Sequence, residues 1–116
     1  MRFESRRHRR AGAMIGGAIL LAALGCASVA TRAPVVTAAM TDAAAVRGAD
    51  PAALERGREL YVGRCTRCHG PVAVASRTPQ QWQAILPRMA KESRLDSSQI
   101  AEVAAYIEAV IGADAR

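Results

Sequence analysis

The residues best suited to chemistry lie close together in the stretch GRCTRCHG, at positions 63–70. Cys65 and Cys68 are three positions apart, and His69 follows the second cysteine directly. Thiolate and imidazole are common ligands of transition metals. Two cysteines and one histidine are nevertheless too few for a closed structural zinc site, which has four ligands. The stretch therefore indicates either an incomplete site or the attachment point of a group that brings ligands of its own.

The spacing Cys65-x-x-Cys68-His69 is the c-type heme attachment signature. In that chemistry the two thiols add across the two vinyl groups of heme, and the next residue lies under the iron. His69 would then bind the iron through Nε2 as the proximal ligand, while a backbone carbonyl near Pro71 would orient its Nδ1–H group. The sequence therefore predicts one heme c, held covalently by the thioethers of Cys65 and Cys68.

Two other kinds of site fit this context less well. A thiol–disulfide motif is expected beside a βαβ pattern, which the sequence does not show. A zinc site needs a fourth ligand, and the remaining candidates are His8 and Cys26, which fall in or beside an N-terminal segment with the features of an export signal. Thiol redox chemistry and zinc binding stay as minor alternatives.

Residues 1–25 have the pattern of an export signal. The first ten residues, MRFESRRHRR, carry five arginines against Glu4, and residues 11–25 are uncharged and apolar. The apolar run is short for a membrane-spanning helix, although an anchor that stays uncleaved is the alternative. Both interpretations place the rest of the chain outside the cytoplasm, on the periplasmic side of a bacterial cell envelope.

The end of this signal resembles the lipobox of bacterial lipoproteins. The match covers Ala23-Leu24-Gly25-Cys26, with alanine where leucine is commonest, and it predicts lipidation of Cys26 and attachment to a membrane. Ordinary cleavage nearby, after residues 28–30, is the alternative. Residues 26–49 are rich in Ala, Thr, Val and Pro, so we expect a flexible tether there.

The basic composition does not indicate nucleic-acid binding. The chain has a formal net charge of +6 at pH 7, but five of its basic residues lie in residues 1–25 together with one acidic residue. Residues 26–116 keep a net charge of only +2 and three aromatic residues, Tyr61, Trp82 and Tyr106. Stacking on bases needs aromatic and basic residues interleaved on one surface, a pattern that is missing here.

Helix start signals open three segments of residues 50–116, which we expect to form the folded domain. They are Asp50 before Pro51, Thr78 before Pro79, and Asp96 or Ser97 before the last apolar segment. Each pairs a capping residue with the start of an apolar pattern at helical spacing, and no segment shows a period of two. The sequence therefore predicts an all-α domain of about three to four helices.

Glycine and proline mark special positions within these helices. Gly57 lies inside the first helix, where glycine costs about 1 kcal/mol relative to alanine, so a close approach by another backbone is expected there. The first helix is expected to end near Gly63 and the last at Gly112. Pro87 is expected to kink or end the helix between them, because proline lacks the N–H donor.

These residues together resemble the class I (mitochondrial-type) cytochrome c family in a short bacterial monoheme form. The resemblance covers residues 51–111: a helix with Gly57 and Tyr61, then CTRCHG, then WQAILPRMAKESRL at residues 82–95, then a helix with VAAYIEAV. In this family the first and last helices cross near a glycine and an aromatic residue, matched here by Gly57 and Tyr106. The resemblance implies a cytochrome c-like domain. One departure is that only 20 positions separate His69 from Met89, which implies an abbreviated distal loop.

Met89 is the predicted distal iron ligand, by elimination. Met1 and Met14 lie in the predicted signal and Met40 in the predicted tether, whereas Met89 shares a helix face with Trp82. A methionine on an apolar helix face is also a common core residue, and Lys91, Tyr61 or an open position are the alternatives. Trp82 either packs against the heme or fills the core.

The favoured function is that of an exported electron carrier that passes single electrons between redox protein partners and catalyses no bond chemistry. The alternatives are a heme enzyme or a gas or redox sensor with an open distal site, and a cytochrome subunit of a larger oxidoreductase. A group of cationic side chains surrounds the motif and the predicted distal helix. These side chains either form a solvated face, bind heme propionates or steer an acidic partner. The group comprises Arg64, Arg67, Arg77, Arg88, Lys91 and Arg94.

Overall fold

The computed structural model describes residues 29–115. Its principal helices are α1 (Ala38–Val46), α2 (Pro51–Leu60), α3 (Pro79–Ser93) and α4 (Ser97–Asp114). A π-helical turn, Tyr61–Cys65, continues α2, and a 3₁₀ turn, Val74–Ser76, precedes α3. No strand occurs in the described part of the chain, so the mostly helical architecture agrees with the predicted all-α class. The predicted export signal and Cys26 lie outside the described residues.

The helices begin where the sequence places their capping residues. Asp50 accepts a hydrogen bond from the Ala52 backbone at 3.0 Å, with Pro51 in the first turn of α2. Both α3 and α4 start with a complete capping box, in which the cap side chain and a glutamine three residues later each bond the other's backbone N–H. Asp96, and not Ser97, is the cap of α4.

Helices α2 and α4 cross at Gly57, which explains the glycine inside α2. A Cβ atom added at position 57 would lie 2.1 Å from the Glu102 carbonyl oxygen and 3.0 Å from the Cβ of Tyr106. Such distances are far shorter than van der Waals contact, so only glycine allows the two helices to approach this closely. The prediction of a close backbone approach at Gly57 beside Tyr106 is confirmed, and Tyr106 is fully buried there.

The core lies along this crossing and extends to α3 and α1. Leu54 and Tyr61 enter it from the α2 side, and Trp82 enters it from α3. Helix α4 supplies the largest share, since its apolar residues recur on one face. Its buried residues are Val103, Tyr106, Ile107, Ala109 and Val110.

The prediction of a flexible tether is wrong for residues 33–49, which belong to the folded part of the chain. Thr37 caps α1 by accepting a hydrogen bond from the Met40 backbone at 3.3 Å. Met40 and Ala44, one helical turn apart, are buried against the core, and Ala33 is fully buried as well. Helix α1 is therefore stabilised by packing against the apolar surface of α2 and α4, although its own sequence lacks a strong hydrophobic period.

Three predicted helix ends also differ from the structure. Helix α3 continues through Pro87 to Ser93, since the Gln83 carbonyl that loses its partner lies on an exposed residue, where water can satisfy it. Helix α2 ends at Leu60, and the π-helical turn carries the chain past Gly63. Helix α4 passes Gly112 and ends at Asp114.

Within residues 29–115, no helix combines the length and the apolar character needed to span a membrane.

Candidate functional site

The motif begins in the π-helical turn that follows α2. Thr66 donates a hydrogen bond from Oγ1 to the Val62 carbonyl at 2.5 Å, and Arg67 donates from Nε to the Gly63 carbonyl at 3.2 Å. These bonds tie the motif back to the preceding turn. As a result Cys65 is buried, whereas Cys68 and His69 are exposed. π-Helical turns are rare and occur frequently at functional sites.

A cleft opens beside this turn and brings most of the predicted site residues together. Cys65 and His69 line it from the motif, and Trp82 and Met89 line it from α3. Tyr61 and Ile85 add apolar wall. Cys68 is the one predicted heme-binding residue that does not line the cleft.

His69 has a backbone partner close to the predicted position. Its Nδ1 lies 2.9 Å from the carbonyl oxygen of Gly70, so a proton on Nδ1 has an acceptor and Nε2 is left with its lone pair for a metal. This carbonyl belongs to the residue directly before Pro71, so it lies in the predicted neighbourhood of Pro71. The Pro71 carbonyl instead accepts a hydrogen bond from Arg32 at 3.1 Å.

Trp82 is a core residue that also lines the cleft, and its contact with heme stays a prediction. It is buried in the core, and its indole Nε1 donates to the Val74 carbonyl at 2.9 Å. It also lines the cleft, with its ring centroid 6.1 Å from that of Tyr61 in an edge-on arrangement. The Arg77 guanidinium lies over the Trp82 ring, 5.5 Å from its centroid. Trp82 is therefore both core and cleft wall.

Among the described methionines, Met89 is the one that lines the cleft. Met40 is buried in the core through α1 and is absent from the cleft lining. Met40 was predicted to lie in a tether, but it lies in the core. Met89 is half-buried and lines the cleft from α3. Its role as an iron ligand stays a prediction.

Burial raises the pKa of the Cys65 thiol, although a hydrogen bond with Ser93 acts in the opposite direction. Cysteines of thiol–disulfide enzymes have a lowered pKa, because the thiolate is the nucleophile. The environment of Cys65 favours the thiol at neutral pH. This electrostatic setting is unlike that of a thiol redox site.

The described residues include side chains that could hold a heme. Within residues 29–115 no group of three or more His, Cys, Asp or Glu side chains is arranged to hold a metal. Heme needs fewer protein ligands, because its own four nitrogens surround the iron. An imidazole and a thioether in one apolar cleft, with a cysteine beside them, match the ligand and attachment chemistry of heme c. Cys68 lies on the exposed edge of the same turn, next to His69.

The cationic residues divide into two groups. Arg77 and Arg88 line the cleft, and Arg88 also lies 3.7 Å from Glu92 in an exposed ion pair. Arg64 and Arg67 lie away from the cleft and donate to backbone carbonyls of Arg94 and Gly63, at 3.4 and 3.2 Å. Of the predicted cationic group, only Arg77 and Arg88 therefore line the cleft.

Sequence reasoning missed the contribution of the segment before α2. Arg32 reaches the loop that follows His69, and α1 covers part of the core. Thr37 in front of an alanine-rich run was the available signal, because threonine is a favoured N-cap and alanine is the strongest helix former. The contact of Arg32 had no sequence signal, since it joins residues 39 positions apart.

None of the known protein families, curated proteins or solved structures with which the chain was compared matches it. The motif and the cleft residues are therefore the features from which a function can be inferred.

Proposed function

We propose that this protein is an exported c-type cytochrome with one covalent heme c, which transfers single electrons between redox partners. The observation that carries the proposal is the common cleft of Cys65, His69, Trp82 and Met89. These residues come from two separate segments, the motif and α3, and the fold brings together the attachment and ligand chemistry that heme c requires. Within this proposal, the chain belongs to the class I cytochrome c family, which its motifs resemble.

Each residue has a distinct role in holding the heme. Cys65 and Cys68 form the thioether bonds, and His69 supplies an imidazole whose other nitrogen already has an acceptor in the Gly70 carbonyl. Met89 supplies a thioether from α3. When bound, the heme supplies an iron that alternates between ferrous and ferric states, and methionine ligation favours the ferrous state.

The surroundings of the cleft control access to it. Tyr61 and Trp82 are buried residues that keep water away from its inner wall. At the other side, Cys68, His69 and Gly70 are exposed, which leaves an edge of the site open to a partner. Electron transfer needs only close approach of such an edge. Since His69 is the one histidine among the described residues, no second imidazole is available there for acid–base chemistry.

The proposal also covers location and partners. Heme c is attached outside the cytoplasm, which agrees with the export signal predicted for residues 1–25. Lipidation at Cys26 would hold the protein on the periplasmic side of a membrane, where redox protein partners exchange electrons with it.

The visible spectrum of the purified protein tests this function. After expression together with a c-type heme maturation system, we expect a low-spin spectrum in both oxidation states and no binding of carbon monoxide to the ferrous form. A high-spin ferrous form that binds carbon monoxide would instead establish the heme enzyme or sensor. Stable co-purification with a catalytic subunit would establish the oxidoreductase subunit.

A further inference from the structure

The loop that follows His69 owes its shape to side chains from elsewhere in the chain. Residues 70–73 have no regular secondary structure, and three carbonyls in and beside this loop accept hydrogen bonds from distant side chains. Tyr61 donates to Val72 at 2.5 Å, and Trp82 donates to Val74 at 2.9 Å. Both donors are buried core residues. The third bond, from Arg32 to Pro71, comes from the segment before α1.

That segment is fixed immediately after Arg32. Ala33 is fully buried, and Arg58 donates from Nε to the carbonyls of Ala33 and Pro34, at 3.2 and 3.0 Å. Tyr106 donates its hydroxyl to the Pro34 carbonyl at 2.7 Å. We call residues 32–36 the N-terminal strap. Since α2 and α4 both hold the strap, Arg32 starts from a fixed point when it reaches the loop.

The bond from Arg32 is made to the carbonyl next to the one that lies beside the imidazole. Arg32 donates to the Pro71 carbonyl, and His69 Nδ1 lies 2.9 Å from the Gly70 carbonyl. Arg32 therefore holds the peptide that directly follows the acceptor of His69, and this limits how far the Gly70 carbonyl can turn away from Nδ1.

We propose that Arg32 is a positioning residue, which uses the N-terminal strap to fix the loop after His69 and thereby the orientation of the His69 imidazole. The hold of Arg32 on the loop follows from the hydrogen bonds described above. The consequence for the heme iron rests on the proposed function. The strap thus becomes part of the site, although it lies far from the motif in sequence.

The test compares three variants of the heme-loaded protein: Arg32→Ala, Arg32→Lys and Arg47→Ala. Arg47 is a matched control, because it is an exposed arginine just after α1 that lies outside the strap and the cleft. Thermolysin cleavage before Val72 or Val74, mapped by mass spectrometry, reports opening of the loop. We expect about fivefold faster cleavage in Arg32→Ala, since a net hydrogen bond contributes about 1 kcal/mol. Arg32→Lys should restore part of the protection, and Arg47→Ala should match the wild type.

The reduction potential distinguishes an effect of Arg32 on the His69 imidazole from an effect on the loop alone. We expect Arg32→Ala to shift the potential measurably relative to the wild type, Arg32→Lys to reverse part of the shift, and Arg47→Ala to leave it unchanged. Wild-type cleavage of the loop in Arg32→Ala would overturn the role of the strap. Faster cleavage with an unchanged potential would overturn the positioning of His69. A chain without covalent heme would overturn the proposed function instead. The cleavage measurements on that chain would still show whether Arg32 and the N-terminal strap hold the loop.

Discussion

At the scale of single residues, the structure gives the motif an inner and an outer side. Cys65 is buried and lines the cleft, whereas Cys68 and His69 are exposed, and of these two only His69 lines the cleft. On the other wall, Met89 is half-buried and lines the same cleft. An electron carrier needs this asymmetry, because the bound group must be held away from water on one side and approached by a partner on the other.

Replacement of Met89 by leucine tests the second ligand. The change keeps the volume and apolar character of the side chain, so it should cost less than about 1.5 kcal/mol in stability. We expect the heme-loaded variant to lose the weak far-red absorption of the ferric methionine–iron bond and to show a lower reduction potential.

The matched control is Met40→Leu, which alters a buried methionine outside the cleft. Its spectrum and potential should equal those of the wild type. A Met89→Leu protein with an unchanged spectrum would show that Met89 is a core residue and that another group, or none, occupies the distal position.

At the scale of helices, the crossing of α2 and α4 holds the motif in place. The π-helical turn that ends at Cys65 continues α2, so the direction of α2 sets the position of the first attachment residue. Gly57 allows the close approach of α4 at this crossing, and Tyr106 fills the space beside it. A change at the crossing should therefore affect the whole fold.

Gly57→Ala is expected to destabilise the protein by roughly 2–4 kcal/mol, because its Cβ would overlap the Glu102 carbonyl and the helices would have to separate. Thermal or denaturant unfolding measures the loss.

Gly112→Ala is the matched control, since Gly112 lies inside α4 and a Cβ there meets no atom within 4 Å. We expect it to stabilise the protein by about 0.5–1 kcal/mol through helix propensity. Equal effects of the two substitutions would contradict the proposed crossing.

Local signals and tertiary contacts explain which elements could be predicted. The caps at Asp50, Thr78 and Asp96 follow from the nearest few residues, and the structure has all three. Helix α1 could not be predicted with the same ease, because Met40 and Ala44 are buried by surfaces of α2 and α4 that the local sequence does not encode. Helix α3 continues past Pro87 for a related reason, since exposure of Gln83 lowers the cost of the missing bond.

At the scale of the whole molecule, three aromatic side chains link the cleft to the helix crossing and the strap. Tyr61 lies between Trp82 and Tyr106, with ring centroids 6.1 Å from each. The hydroxyl of Tyr61 holds the loop after His69, and that of Tyr106 holds the strap. Burial is the main cause that raises the pKa of each tyrosine to about 12.

These shifts predict a loss of stability at alkaline pH. In the unfolded chain the tyrosines ionise near pH 10, whereas in the folded protein they stay neutral until about pH 12. The stabilising contribution is therefore fully present below pH 10 and is lost as the pH rises towards 12. Denaturant unfolding at a series of pH values measures the decline.

Tyr106→Phe separates the two contributions of this hydroxyl. Below pH 10 the variant should be less stable by about 1 kcal/mol, because the bond to Pro34 is lost. Above pH 10 its stability should fall less steeply than that of the wild type. Parallel curves for the two proteins would contradict the assignment of the alkaline loss to Tyr106.

The candidate site, like the helices, could be predicted only where local sequence patterns indicate it. The roles of Cys65, Cys68 and His69 follow from their spacing, and Met89 follows from its helix face and from elimination. The strap does not, because Tyr106 and Pro34 are separated by 72 positions and no local pattern announces their contact. Sequence reasoning therefore predicts which groups would hold a heme, but it does not predict the groups that hold the loop after His69.

The central claim is that Cys65 and Cys68 bind heme covalently, and the mass of the intact protein tests it most directly. After expression with a c-type heme maturation system and denaturation, the full chain should retain the added mass of one heme. The Cys65→Ser/Cys68→Ser variant, expressed in the same way, should lack it. A wild-type chain that carries no covalent heme under these conditions would contradict the account.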